Sequence, residues 1–286
     1  MPRLIANLLL ALSVATAMAI PAAAGDELDA QIREAMRGHK KIPERMKVLA
    51  KLAWSEDTAS EALAHRARVK LVESGKKSME AIADALRWAE PARFSDIMLT
   101  SIEAEGRITS GDSPFTSSTI DRCIWFGPPD AKRLAMDYMT VRPVGLLMLA
   151  VIDSAYDYPE LTPVVIDTLA LMGDPRARFF LADQLQNGTP AVRKRAAEAL
   201  ATIGGRAREY LRAWALSDDS ELRQTAFRAL LPVAGVGDLT TLYEYLMLFP
   251  EDDPETLDAL RARAQLLEDA LAAQEELQAD TPGLDE

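Results

Sequence analysis

The stretch Thr189–Leu216, TPAVRKRAAEALATIGGRAREYLRAWAL, decides the fold of this chain. Apolar residues recur in it every three or four positions, which places them on one stripe of a helix. They are Val192, Ala196, Ala199, Leu200 and Ile203. Thr189 can cap the helix, and Pro190 takes the first helical position, where a missing N–H costs nothing. Gly204-Gly205 ends this helix, and a shorter one follows.

The same stripe returns thirty positions later. Its residues are Leu222, Ala226, Ala229, Leu230 and Val233. Weaker upstream copies run over Leu161–Gly173 and Ala67–Gly75. A helix pair of this kind cannot bury its apolar face alone, so stacked copies must share one core.

These residues resemble the HEAT repeat, in particular its short variant in HEAT-like proteins of the bilin-lyase type. The residues that carry the resemblance are Val192-Arg193, Ala196, Leu200, Ile203, Gly204, Ala207 and Leu211, then Leu222-Arg223, Ala226, Leu230 and Val233. The resemblance implies an all-α fold, a right-handed α-solenoid of stacked antiparallel helix pairs. It specifies function poorly, because the family consists mostly of binding scaffolds.

Periodicity predicts fifteen helices between Asp26 and Gln278, with no convincing strand. We expect the solenoid over 25–250 and an acidic C-terminal capping helix and tail over 251–286. The last helix has an apolar seam typical of helix–helix packing. Its residues are Leu257, Leu260, Ala264, Leu267 and Leu271. The seam predicts a cap over the final repeat, or alternatively a coiled-coil dimer.

The polar segment Gly106–Thr116 predicts a long loop, mobile or functional.

The N-terminus is typical of a secretory signal peptide over 1–24. Arg3 precedes an apolar run from Leu4 to Ile20, and a small-residue ending predicts cleavage after Ala24. The expected location is therefore periplasmic or secreted. The alternative is an N-terminal membrane anchor, against which the short run and its polar residues count.

Charge and cysteine content restrict the partners and the redox chemistry. The net charge of the chain is −12, of which −10 lies in 251–286 and +1, from Arg3, in 1–24, so the body over 25–250 is near −3. Such a surface repels phosphate backbones, which argues against nucleic acid as a partner. Cys123 is the single cysteine; no intramolecular disulfide can form, and its apolar neighbours predict a buried packing role.

No motif predicts catalysis. His39 and His65 are the two histidines, and neither has a second histidine or a cysteine at ligand spacing, which disfavours a zinc site. Nucleophile elbows, phosphate-binding glycine loops and Cys/His pairs do not occur. We therefore expect a protein that is not an enzyme and has no cofactor or metal.

The second helices of the repeats are the expected partner-binding surface, since the resemblance places them on the concave face. Arginine and aromatic residues align there in columns, and such side chains dominate binding energy in protein interfaces. The candidates are Arg178, Arg208, Tyr210, Arg212, Trp214 and Tyr245. Packing between helices, or simple solvation, is the competing interpretation. Arg193 and Arg223 are expected to brace turns between repeats instead.

The leading hypothesis is an exported, non-enzymatic scaffold that binds a protein or peptide along its concave face. One alternative is a chaperone-like lyase or an accessory subunit of an enzyme complex. Another is a structural envelope component that keeps Leu4–Ile20 as a membrane anchor.

Overall fold

The computed structural model describes residues 22–58, 60–106, 114–139, 147–250 and 252–279. These residues form fifteen α-helices joined by short turns and 3₁₀ segments, with no strand among them. The predicted all-α fold is therefore confirmed and is consistent with a HEAT-like solenoid, whose handedness stays a prediction. Within the described ranges, no helix has both the length and the apolar character that a membrane span needs.

The chain divides into two compact units, and the division falls between Leu161 and Thr162. It lies inside the predicted solenoid 25–250, where the sequence marks no linker. The helices of the first unit are α1 (Ala22–Ala35), α2 (Ile42–Trp54), α3 (Glu61–Ser74), α4 (Met79–Ala85), α5 (Phe94–Gly106), α6 (Pro114–Phe126), α7 (Pro129–Met139) and α8 (Met148–Asp157). Those of the second are α9 (Thr162–Met172), α10 (Arg178–Asn187), α11 (Pro190–Ile203), α12 (Ala207–Ala215), α13 (Ser220–Leu230), α14 (Leu239–Leu248) and α15 (Pro254–Ala279).

Each predicted helix has a counterpart, and several bounds differ, one of them because of a proline. The helix expected to reach Val233 ends at Leu230 and continues as a 3₁₀ turn over Leu231–Val233. Pro232 lies in that turn and has no N–H to extend the α-helical ladder. The predicted loop over Gly106–Thr116 is shorter, because α5 runs to Gly106 and α6 begins at Pro114. Residues 107–113 lie outside the described residues, as does the apolar run from Leu4 to Ile20.

The repeat identified in the sequence has the expected construction. Thr189 accepts a hydrogen bond from the Val192 N–H at 3.4 Å, and α11 ends at Gly204, whose φ of 70° favours glycine. Ala196 and Leu200 are fully buried. Helix α11 packs against both α9 and α13, the corresponding helices of the neighbouring copies. The apolar stripe is therefore buried by repetition.

Arg193 bridges consecutive repeats. Its Nη2 donates to the Gln186 carbonyl at 3.0 Å, at the end of α10. Its Nη1 lies 3.4 Å from the Glu221 carboxylate, at the start of α13. One guanidinium thus ties its own turn to the next repeat, as expected from the sequence.

Arg223, thirty residues later, also joins its own turn to the next element, and its side chain is more deeply buried than that of Arg193. Its Nη1 donates to the Ser217 carbonyl at 2.8 Å, and the other two nitrogens hold Asp252 at 3.0 and 2.9 Å. The Phe249 ring lies 3.9 Å from the guanidinium carbon. This ion pair lowers the pKa of Asp252 below its ordinary value. The bracing prediction is confirmed for both arginines.

Helix α15 covers the end of the second unit. Its seam residues are buried against α14 in a cluster that also holds Phe227, Leu242 and Tyr245. The buried seam residues are Leu257, Leu260, Ala264 and Leu267. Contacts with the same chain thus bury the seam residues. This supports the interpretation of α15 as a capping helix rather than as part of a coiled-coil dimer.

In the first unit, Cys123 is free and fully buried in α6. Burial raises the pKa of its thiol to about 12. The expected packing role is confirmed, because a protonated, enclosed thiol is a poor nucleophile.

The side chain of a buried lysine provides a hydrogen-bond donor to the last turn of α6. The Ile124 carbonyl would ordinarily accept from residue 128, but Pro128 has no N–H. The Lys132 ammonium donates to that carbonyl instead, and it lies 3.4 Å from the Ser154 hydroxyl. Lys132 is 4 % exposed, and burial lowers the pKa of its ammonium.

We expect Leu200→Ala to lower the free energy of unfolding by about 2–5 kcal/mol, the usual cost of truncating a core leucine. Chemical denaturation measures the loss, and hydrogen exchange should show α9 and α13 opening before α15. Glu198→Ala, on the exposed face of the same helix, is the control and should change stability by less than about 0.5 kcal/mol. Parental stability of Leu200→Ala would mean that the repeat register is wrong.

Lys132→Met should lower the free energy of unfolding by about 1–3 kcal/mol, because the Ile124 carbonyl would stay buried without a donor. Denaturation at pH 7 measures this loss, and Arg133→Met, at an exposed neighbour, is the control. A variant as stable as the parent would show that the cost of burying the ammonium equals the value of its hydrogen bond.

Candidate functional site

The predicted partner-binding residues lie on α10, α12 and α14, the second helices of the repeats in the second unit. Four of the six, Arg178, Arg208, Tyr210 and Trp214, are half-buried and have no ion pair or hydrogen bond to another side chain in the described part of the chain. Arg212 is half-buried and paired, and Tyr245 is fully buried. The six residues therefore do not form one surface.

Arg178, Phe179 and Tyr210 form a cluster that joins α10 to α12, here called the Phe179 cluster. The Phe179 ring is 61 % exposed and meets Tyr210 edge-on, with centroids 6.4 Å apart. The Arg178 guanidinium lies 4.3 Å from the centre of the Phe179 ring and donates to the Pro175 carbonyl at 2.8 Å. Aromatic and cation–π contacts hold an otherwise exposed ring in a fixed position.

Phe179 was not among the predicted residues. The sequence places Phe180, not Phe179, in the same column as Tyr210, but Phe180 is buried at 5 % exposure. On a helix, two adjacent residues point about 100° apart, so a choice between them depends on the rotation of α10. The buried stripe of Ala177, Leu181 and Leu185 would have indicated that rotation.

Arg208 and Trp214 contribute less accessible groups. Their Nε and Nε1 atoms are buried, with no hydrogen-bond partner in the described residues. Arg208 lies against Gly204, where an added Cβ would meet the guanidinium at 3.7 Å. Only part of each side chain is therefore available to another molecule.

Arg212 is engaged within the chain. Its Nε lies 2.5 Å from the Asp238 carboxylate, which is buried at the turn before α14. The same carboxylate accepts the Gly235 N–H at 2.8 Å. Arg212 therefore holds the turn over residues 235–238, and its charge is already balanced.

Tyr245 is a correction to the predicted site. Its ring is fully buried, 4.3 Å from that of Phe227, and its hydroxyl donates to Asp252 at 2.6 Å. Burial raises the pKa of the phenol. A partner cannot reach this side chain, so Tyr245 belongs to the core that α15 covers.

Charged residues of both signs lie near the Phe179 cluster. Arg178, which contacts the ring, has no carboxylate partner in the part of the chain that the structure describes. Two exposed acids are close in sequence, Asp183 one helical turn after Phe179 and Glu209 next to Tyr210. A partner that brings a carboxylate to Arg178 beside the exposed ring would complement this guanidinium.

The described residues include no group of three or more His, Cys, Asp or Glu side chains that could hold a metal ion. The Phe179 cluster contains no histidine, cysteine or carboxylate. Its groups are suited to recognition through ring faces and guanidinium donors.

The fold and this surface define a helical repeat protein with an Arg-rich and aromatic patch on its second helices. A family model of HEAT repeats matches residues 156–231. This segment contains both the repeat over Thr189–Leu216 and the Phe179 cluster. This match supports the HEAT-repeat character of that segment. Comparison with curated proteins finds no match.

Proposed function

We propose that the protein is a non-enzymatic scaffold that binds a protein or peptide partner through the second helices of its HEAT repeats. HEAT repeats commonly serve as protein–protein interaction scaffolds. The observation that supports this site is the exposed Phe179 ring, fixed between Arg178 and Tyr210. A large ring held in place loses little conformational entropy on binding, which is typical of an interface anchor.

The binding role and the alternatives differ in what the patch should contact. A lyase or accessory subunit would present the patch to an enzyme or a prosthetic group, whereas a scaffold presents it to a folded partner or a peptide. The unpaired Arg178 guanidinium in the patch favours a partner that brings a carboxylate to it. We therefore place the primary contact at the Phe179 cluster.

Export is the second part of the proposal. The apolar run from Leu4 to Ile20 and the small residues before Gly25 support a cleaved signal peptide and a periplasmic or secreted protein. N-terminal sequencing of protein recovered outside the cytoplasm should begin at Gly25. Full-length chain in the membrane pellet would instead favour the anchored envelope component.

We expect Phe179→Ala to reduce capture of the native partner at least tenfold, the loss typical of a central aromatic anchor. The measurement is a quantitative pull-down from the exporting compartment with parent and variant as bait, followed by titration of the captured protein. Stability should change by less than about 1 kcal/mol, because the ring is mostly exposed.

Phe126→Ala is the matched control. Phe126 is 65 % exposed and lies 5.5 Å from the Arg122 guanidinium carbon, so it has similar exposure and a similar cationic neighbour in the other unit. Its substitution should leave capture unchanged. Equal loss with both variants, or no loss with Phe179→Ala, would remove the Phe179 cluster from the interface.

A further inference from the structure

A second charged surface lies in the first unit, at the turn between α1 and α2. From Arg33 to Lys51 the chain has seven Lys or Arg residues and two Glu, a local charge of +5 in a protein of −12. On an ordinary solvated surface, positive and negative side chains are mixed. This segment differs, because its charges are mainly positive while the net charge of the protein is negative. The segment therefore creates a local positive potential.

The turn folds these cations around a concavity. Helix α1 ends at Ala35, and Gly38 reverses the chain with a φ of 90°, a conformation that favours glycine. The space is open to solvent and has a volume of about 520 Å³. It is lined by Arg33, Met36, Arg37, Gly38, His39, Lys40 and Arg45. Five of these seven residues can carry positive charge.

Carboxylates of the described residues neutralise only part of the positive charge around this concavity. Arg37 pairs with Glu34 at 2.5 Å, and His39 lies 4.0 Å from Glu44. Arg33, Lys40 and Arg45 have no ion pair in the described ranges. Like charges held around one space repel each other, and a bound anion would relieve that repulsion.

Helix α2 contributes to the concavity through a side chain. Arg45 lies in its first turn and lines the space. The residues before it in α2 do not line the space, Pro43 has no N–H to donate, and Glu44 is an acid in the same turn. The cationic side chains, with Arg45 among them, are therefore the donors that an anion would meet here.

A smaller pocket of about 260 Å³ adjoins the concavity and shares Arg33, Met36 and Arg45 with it. Its floor is apolar, formed by the buried side chains of Ile32 and Leu49. Such a pair of spaces suits a ligand with a charged head and a short apolar part.

The one carboxylate in that pocket is already balanced. Arg66 holds Asp29 through two hydrogen bonds at 2.7 and 2.8 Å, and Lys70 lies 3.3 Å away. The hydrogen bond from Arg66 is the main reason that the pKa of Asp29 falls to about 2. Asp29 therefore does not cancel the charge of Arg33 and Arg45.

We propose that the concavity between α1 and α2 binds a phosphate-bearing anion. Arg33 and Arg45 hold the phosphate oxygens, because a guanidinium matches them with parallel hydrogen bonds. The phosphate belongs either to a free solute or to the headgroup of an anionic lipid. The site lies on a different unit from the Phe179 cluster, so the two proposals stand or fall separately.

The first arm tests free phosphate with inorganic pyrophosphate and the full chain, by calorimetric titration at low ionic strength. We expect binding that the double variant Arg33→Gln/Arg45→Gln weakens at least tenfold. Lys76→Gln/Lys77→Gln is the matched control, since it removes the same two charges from exposed positions outside the concavity. That pair should change binding less than twofold.

The second arm tests the lipid source with flotation on phosphatidylglycerol and phosphatidylcholine vesicles. Phosphatidylcholine measures any contribution of the apolar N-terminus, so the excess on phosphatidylglycerol reports the anionic headgroup. Pyrophosphate should compete with that excess, and Arg33→Gln/Arg45→Gln should abolish it if the ligand is a lipid. Binding of pyrophosphate without this excess identifies a free phosphate compound.

The variants are expected to fold, because both arginines are exposed, and circular dichroism checks this. Arg33→Lys/Arg45→Lys keeps the charge but loses the paired guanidinium donors, and it should weaken binding several-fold. The proposal is overturned if neither probe binds, if both glutamine pairs weaken binding equally, or if Arg33→Gln/Arg45→Gln binds like the parent. Phe179→Ala should leave both arms unchanged.

Discussion

The burial of one apolar stripe per helix pair is the constraint on which the second unit depends. Leu200 is fully buried because α9 and α13, the corresponding helices of neighbouring copies, lie on either side of α11. A single pair would leave that stripe in water, and burying a leucine contributes about 1.5–3 kcal/mol. Repetition is therefore the condition for stability, and α15 is needed where repetition stops.

Polar interactions set the spacing of the repeats. Arg193 and Arg223 each bind a carbonyl that precedes their own helix and an acid of the next repeat, at Glu221 and Asp252. Arg212 and Asp238 fix a further turn in the same way. These arginines are engaged within the chain and are unavailable to ligands.

The cationic and aromatic side chains that take no part in the core or in the arginine contacts between repeats remain for binding. At the Phe179 cluster an exposed ring lies against the unpaired Arg178 guanidinium, which suits a protein surface that offers a carboxylate. Between α1 and α2 the cations surround an open space, which suits a compact anion. The net charge of −12 does not indicate either surface, because most of the negative charge lies in residues 251–286.

The sequence by itself determined the helices, the repeat and the bracing arginines, because periodicity, caps and breakers act within about thirty residues. The stripe through Leu200 and the cap of α15 were predictable on that ground. For Phe179, the stripe of Ala177, Leu181 and Leu185 carried the information, because it indicates the rotation of α10, whereas repeat spacing pointed to Phe180. For Tyr245 only the tertiary structure decided the outcome. The ring is buried because α15 packs over it, and no pattern within α14 contains that information.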